Sequence, residues 1–147
     1  LASSAASDVY KRQREGLTRE DGTRPLLIAV TQLTSTSEER MREELLIDAS
    51  INDTIVKYAQ NTRAAGLDGV VCSPLEAGMV HGACGEEFLT VTPGVRFADG
   101  DVADQVRVTT PARAREIGSD LIVVGRPITA AEDPVAAYRR CVAEFVG

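Results

Sequence analysis

Two arginines follow apolar runs of the sequence, and their type and setting suit the binding of a phosphate group. The run at 121–124 is followed by Gly125 and Arg126, and an earlier apolar run is followed by Pro93 and, three residues later, Arg96. A guanidinium presents a planar set of donors to a phosphate, and a glycine lets the backbone approach the same anion. The simpler interpretation is a strand-to-helix turn whose arginine points into water.

Other polar residues after apolar runs extend this set. Gln105 offers an amide that can donate to a phosphate or accept from a ring N–H, Thr34 can bond the polar edge of a heterocycle, and Ser73 follows another run. We interpret the single histidine, His81, and Arg107 as structural. The set binds a ligand but contains no evident nucleophile, metal cluster or acid–base pair, so we expect no metal site.

Apolar runs alternate with amphipathic segments from residue 25 onwards. The predicted strands are 26–30, 69–72, 88–92 and 121–124, the last buried on both faces, and the predicted helices are 38–44, 53–65, 75–81, 111–117 and one that begins after Asp133. In the second helix Ile55, Val56, Ala59 and Thr62 share a face, and in the last helix Val135, Tyr138, Val142 and Phe145 do.

Four strand–helix units predict a parallel α/β sheet, either open and doubly wound or half of a (β/α)₈ barrel. No Gly-x-Gly-x-x-Gly follows the first strand, which counts against a dinucleotide-binding fold. Phosphate-type residues after the last two strands favour the carboxyl-terminal half of a TIM barrel, with the amino-terminal half missing. The first methionine is Met41, which we also interpret as the mark of a fragment.

The composition limits the classes of protein to which the chain can belong. The 147 residues suit one domain, and a net charge of -6 argues against a broad nucleic-acid surface. No apolar run is long enough for a membrane span, and three cysteines without metal-ligand spacing indicate free thiols in a cytoplasmic protein. Residues 1–13 lack periodicity, and we interpret them as a foreign or disordered leader before a half-barrel domain at 14–147.

Five segments resemble orotidine 5′-phosphate decarboxylase in order and spacing, and the resemblance covers about residues 16–147. They are 29–35 (Ala-Val-Thr-Gln-Leu-Thr-Ser), 68–74 (Asp-Gly-Val-Val-Cys-Ser-Pro), 91–97 (Val-Thr-Pro-Gly-Val-Arg-Phe), 104–107 (Asp-Gln-Val-Arg) and 125–129 (Gly-Arg-Pro-Ile-Thr). The resemblance implies a cytoplasmic, homodimeric barrel without metal or organic cofactor, which converts the nucleotide orotidine monophosphate to uridine monophosphate and carbon dioxide in pyrimidine synthesis.

The resemblance also implies a role for each candidate residue. It gives Thr34 a contact to the pyrimidine, Pro93 a place beside the base, Arg96 and Arg126 the phosphate, Gln105 a bridge between ring and phosphate, and Gly125 a backbone N–H. The family's catalytic Asp/Lys network, marked by Asp-x-Lys-x-x-Asp, is absent, since the only lysines are Lys11 and Lys57. We therefore expect no catalytic residue in this chain and no activity from the chain alone.

Two alternatives stay open at this point. One is a fragment of a related barrel, a sugar-phosphate decarboxylase or aldolase, although the segments 31–34 and 104–105 favour the pyrimidine enzyme. The other is a non-catalytic module that binds phosphate and stands alone. The sequence just upstream in the gene would distinguish them.

Overall fold

The computed structural model describes residues 2–99 and 109–147. In chain order, its strands are β1 (Ile28–Val30), β2 (Gly69–Val71), β3 (Leu89–Thr92) and β4 (Leu121–Ile122). Its helices are α1 (Ala2–Leu17), α2 (Glu38–Glu44), α3 (Ile51–Ala64), α4 (Ala77–Cys84), α5 (Pro111–Glu116), α6 (Arg126–Thr129) and α7 (Pro134–Phe145), with a 3₁₀ turn at Pro74–Glu76. The predicted order of strands and helices from residue 25 onwards is confirmed, while α1 and α6 were not predicted.

The four strands form one parallel sheet in the order β1-β2-β3-β4. Val30 pairs with Val71, Val71 with Val91, and Thr92 with Ile122, so each strand lies beside its neighbour in sequence. Parallel strands place all their carboxyl ends at one edge of the sheet. The loops that follow β1, β2, β3 and β4 therefore share that edge, as the half-barrel interpretation predicts.

Side-chain caps define where the helices begin. Ser37, Ser50 and Thr110 each accept a hydrogen bond from the backbone N–H three residues later, and Asp133 accepts from the two N–H groups at the start of α7. These bonds satisfy donors that have no partner inside the helix. Gly66 takes a φ of 81° just after α3, as the predicted helix end requires.

The main core lies where α3 and α4 cover the sheet. Ile55, Ala59 and Thr62 of the predicted α3 face are buried, and Val56 is half-buried. The buried residues that pack together here are Ile55, Ala59, Val70, Cys72, Val80, Cys84 and Phe88. All three cysteines are buried free thiols. None of the helices in the described ranges is long and apolar enough to cross a membrane.

The prediction that residues 121–124 form a strand buried on both faces is wrong. Only Leu121 and Ile122 are in β4, and Leu121 and Val123 are each 50% exposed. The reason is position in the sheet, because β4 is the edge strand and pairs only with β3 within the described sheet. The opposite edge is similar, since Val30 of β1 is also largely exposed.

The predicted apolar face of α7 exists but is mostly uncovered. Tyr138 and Val135 are each 59% exposed and Val142 is partly exposed, whereas the buried residue of this helix is Cys141. Tyr138, Val142 and Phe145 line an open groove of about 360 Å³ beside β4. The periodicity identified the apolar side of the helix, but no described element packs over it.

Helix α1 runs without a break through residue 13, the predicted end of the leader. Tyr10 packs against the small cluster of Ala29, Ala65 and Leu67, and Arg14 Nη1 donates to the Gly66 carbonyl at 3.2 Å. The foreign origin of residues 1–13 stays a prediction.

Candidate functional site

A cleft of about 770 Å³ opens at the carboxyl-terminal edge of the sheet, between the segment after β3, helix α6 and the first turns of α7. Arg96 and Arg126, the two arginines singled out from the sequence, both line it. Arg140 of α7 lines it as well, together with Phe97 and Asp99. Within the described ranges, the cleft thus combines three arginines with one aspartate, in a chain that is acidic overall.

The backbone around Arg96 is fixed by contacts on both sides of a tight turn. Gly94 adopts a φ of 84°, a conformation that favours glycine. Beyond the turn, the Arg96 N–H donates to the Thr109 carbonyl at 2.9 Å, and the Thr109 N–H donates to the Gly94 carbonyl at 3.2 Å. These bonds join the backbone of Gly94 and Arg96 to Thr109, so the backbone of Arg96 has a defined position.

The Arg96 side chain is a buried cation. It is 9% exposed, and its Nη1 donates to the neighbouring Val95 carbonyl at 2.8 Å. A guanidinium stays charged when it is buried, because its proton is held very strongly. A buried positive charge beside an open cleft is costly unless an anion or dipoles neutralise it, which makes Arg96 well suited to an anionic ligand.

Arg126 is presented by the turn that joins β4 to α6. The Gly125 carbonyl accepts from the N–H groups of Ile128 and Thr129 at 2.9 and 3.0 Å, and Pro127 occupies the first turn of α6. Arg126 is exposed and faces the cleft. A Cβ at position 125 would meet no heavy atom within 4 Å, so the backbone of Gly125 borders open space that a ligand can enter.

Arg140 holds a cluster that sequence reasoning missed. Its guanidinium carbon lies 4.2 Å from the centre of the Phe97 ring, its Nη1 contacts both Asp99 oxygens at 3.0 and 3.1 Å, and its Nε donates to Glu144 at 2.7 Å. The pKa of Asp99 is lowered, first by a hydrogen bond from its own backbone and then by Arg140. The same carboxylates raise the pKa of Arg140.

The remaining candidates lie elsewhere on this edge or outside the described ranges. Pro93 directly follows β3 and is half-buried, while Thr34 is buried after β1 and does not line the cleft. Because β1 and β4 are three strand spacings apart, their ends are separated by about 14 Å along the sheet. Gln105 and Arg107 lie outside the described residues. The structure therefore brings together Arg96, Gly125 and Arg126, with Thr34 farther along the edge.

His81 lies away from the cleft in a structural network. Its Nε2 is 3.0 Å from Asp120 Oδ2, which also accepts from the Thr90 N–H at 2.7 Å and the Thr90 hydroxyl at 2.8 Å. Asp120 precedes β4 and Thr90 lies early in β3, so this network is not at the carboxyl-terminal edge. The geometry supports the structural interpretation of His81.

Comparisons with known proteins identify relatives along most of the chain. The model of the orotidine 5′-phosphate decarboxylase / HUMPS family matches residues 4–141. A curated relative from Bacillus cereus (strain AH187), named orotidine 5′-phosphate decarboxylase, is 50% identical over an alignment that covers 98% of this chain and 62% of the relative. The chain therefore spans less than two thirds of that relative's length.

Two solved structures resemble the fold closely. Orotidine 5′-phosphate decarboxylase from Lactobacillus acidophilus is 40% identical with a TM-score of 0.80, over 96% of this chain and 59% of that one. An uncharacterized conserved protein from Geobacillus kaustophilus is 40% identical with a TM-score of 0.78, over 95% of this chain and 59% of that one.

Proposed function

Because the chain belongs to the orotidine 5′-phosphate decarboxylase / HUMPS family, we propose that it forms the substrate-binding part of an orotidine 5′-phosphate decarboxylase. The parent enzyme would convert orotidine monophosphate to uridine monophosphate and carbon dioxide as a cytoplasmic homodimer. One observation carries the proposal: Arg96 and Arg126, which follow different strands, line one cleft at the carboxyl-terminal edge of a parallel sheet. This edge is where such folds place their active sites.

The cleft is the phosphate end of the proposed site. Arg96 supplies a buried, permanently charged guanidinium, and Arg126 supplies a second one from the opposite wall. Arginine forks match the geometry of phosphate oxygens, and the open space beside Gly125 gives a phosphate access to the backbone. Among the residues that the structure describes, Asp99 is the one carboxylate that lines the cleft, and its contacts to Arg140 reduce its repulsion of an anion.

The pyrimidine end of the site lies along the same edge towards β1. A mononucleotide is elongated, with its phosphate at one end and its base at the other. We propose that Pro93 lies beside the base, that Thr34 bonds its polar edge, and that Gln105 bridges the base and the phosphate. This arrangement is supported by Pro93 and Thr34 following strands whose carboxyl ends share one edge with the cleft.

Catalysis requires groups that this chain does not supply. Decarboxylation breaks the bond between C6 and the carboxylate, leaves the electron pair on C6, and needs a proton donor at that carbon. Neither lysine of the chain is at the cleft edge, because Lys57 is exposed on α3 and Lys11 is on α1. We propose that this chain binds and orients the substrate, so that binding energy at the phosphate stabilises the transition state at C6.

The test uses a completed chain, in which this chain is joined to the part of the Bacillus cereus relative that it does not cover. Arg126→Ala should lower kcat/KM for orotidine monophosphate by about thirty- to a thousandfold, because a charge-assisted contact worth roughly 2–4 kcal/mol is lost. The reaction of orotidine, which lacks the phosphate, should scarcely change.

Two further variants keep that test specific. The Gly125→Ala variant should fold normally, because the added methyl group meets no protein atom within 4 Å. It should nevertheless selectively weaken the binding of the phosphorylated substrate. Arg107→Ala, at an arginine interpreted as structural, is the control and should retain discrimination between the two substrates. If Arg126→Ala leaves kcat/KM for orotidine monophosphate intact, the phosphate assignment is wrong.

A further inference from the structure

Arg140 lines the cleft, but its guanidinium forms ion pairs with other side chains of the protein. Its guanidinium contacts Asp99 through Nη1 and Glu144 through Nε, and it stacks over the Phe97 ring. Two carboxylates therefore already neutralise this single cation. Arg140 differs in this respect from Arg96, whose Nη1 donates to the neutral carbonyl of Val95.

The partners of Arg140 lie directly after Arg96 in the chain. Phe97 is the next residue and Asp99 is the third, so a contact that fixes both also fixes the carboxyl side of Arg96. The amino side is already fixed by the bonds between Arg96, Thr109 and Gly94. Arg140 belongs to a helix of the opposite cleft wall. Its contacts with Phe97 and Asp99 thus hold the chain in place on the carboxyl side of Arg96.

That opposite wall carries Arg126. Helix α6 begins with Arg126 and packs against α7, and Pro127 with the first turns of α7 lines the cleft. An attachment between α7 and residues 97–99 therefore sets the separation of the two walls. We propose that Arg140 is a positioning residue that holds Arg96 and Arg126 at the spacing a phosphate needs, and is not itself a phosphate ligand. This inference rests on the proposed function of the cleft.

The individual contacts of Arg140 are of the kind that contribute modestly alone, since its side chain and Asp99 are both well exposed. The effect expected of Arg140→Ala therefore comes from losing all of these contacts together. In the completed chain, Arg140→Ala should raise KM for orotidine monophosphate about three- to tenfold with kcat changed less than twofold. The reaction of orotidine should be unchanged, because that substrate has no phosphate to misplace.

Variants of the partners separate positioning from direct binding. Asp99→Asn should reproduce the direction of the KM change, and the double variant should be no worse than Arg140→Ala, because both substitutions break one attachment. Arg140→Lys should rescue part of the loss, since it keeps a cation over Phe97 but loses the fork on Asp99. Arg139→Ala, at the adjacent exposed arginine outside the cleft lining, is the matched control and should retain the parent KM.

The outcomes are distinct. If Arg140→Ala raises KM but Asp99→Asn does not, Arg140 binds the phosphate itself and the positioning role is overturned. An equal loss for both substrates, or no change in KM, also overturns it. If Arg126→Ala fails to affect the phosphorylated substrate, the proposed function fails, whereas an effect of Arg126→Ala without one of Arg140→Ala refutes this inference alone.

Discussion

Asp68 anchors the amino-terminal end of the sheet, and its removal should destabilise the fold. Its two oxygens accept from Arg24 Nη1 at 2.6 Å and Arg24 Nη2 at 2.7 Å, and Oδ2 also accepts from the Leu27 N–H at 2.7 Å. The ion pair of Arg24 and Asp68 connects the segment before β1 to the residue before β2, and both side chains are mostly buried. The hydrogen bond from Arg24, followed by that from Leu27, lowers the pKa of Asp68.

Asp68→Ala in the completed chain should reduce the free energy of unfolding by about 2–3 kcal/mol at pH 7. A hydrogen bond to a charged group contributes about 1.5–3 kcal/mol, and the residual exposure keeps the total below the roughly 3–5 kcal/mol of a fully buried broken pair. Urea unfolding measures this directly. In a thermal scan the expected loss in Tm is about 4–12 °C for a domain of that size.

The pH dependence gives this prediction a second signature. Because the pKa of Asp68 is lower in the folded state, its contribution is fully present above the unfolded-state value of about 3.9 and is lost as the pH falls through the folded-state pKa. The difference between the parent protein and Asp68→Asn should therefore be constant from pH 7 to 5 and shrink below about pH 4.

Asp48→Asn is the matched control, because the Asp48 side chain is 92% exposed and its ion pair with Arg42 is long, with 3.9 Å between Oδ1 and Nε. It should unfold within error of the parent. The reasoning is refuted if Asp68→Ala unfolds like the parent at pH 7, or if the deficit of Asp68→Asn persists unchanged at the lowest pH.

Two predictions concern the chain on its own. The purified 147-residue chain should not decarboxylate orotidine monophosphate, because it has no Asp-x-Lys-x-x-Asp network, and turnover above a control without protein would contradict this. The same chain should associate or melt without a sharp transition, because Val30, Leu121 and the apolar side of α7 are uncovered. A cooperative calorimetric melt from a species that sizing shows to be strictly monomeric would refute that expectation.

Local signals in the sequence predicted the elements well. Ser37 and Asp133 cap α2 and α7, and Gly66 ends α3, because each signal acts within a few residues of its own position. The parallel sheet followed from the alternation of apolar runs and amphipathic segments. These features depend on chemistry that one stretch of chain carries by itself.

Contacts between distant residues were beyond the same reasoning. Arg96 and Arg126 were found because each follows a strand, but Arg140 was missed because its partner Asp99 is 41 residues away. The pairing of Arg24 with Asp68 spans 44 residues and was missed for the same reason. A charged residue on a helix gives no local sign of which distant carboxylate it meets.

The exposed apolar sides of β4 and α7 have a common physical cause. Apolar periodicity shows which side of a helix or strand favours burial, but it does not show which other element packs over that side. In β4 and α7 the apolar sides are present, as Leu121 and Tyr138 show, but the described residues supply no layer above them. The chain spans only 62% of its Bacillus cereus relative, so the pattern fits a surface that the rest of a longer parent would cover. On that reasoning, burial predicted from sequence and exposure found in the structure disagree at β4, where the described residues leave Leu121 and Val123 uncovered.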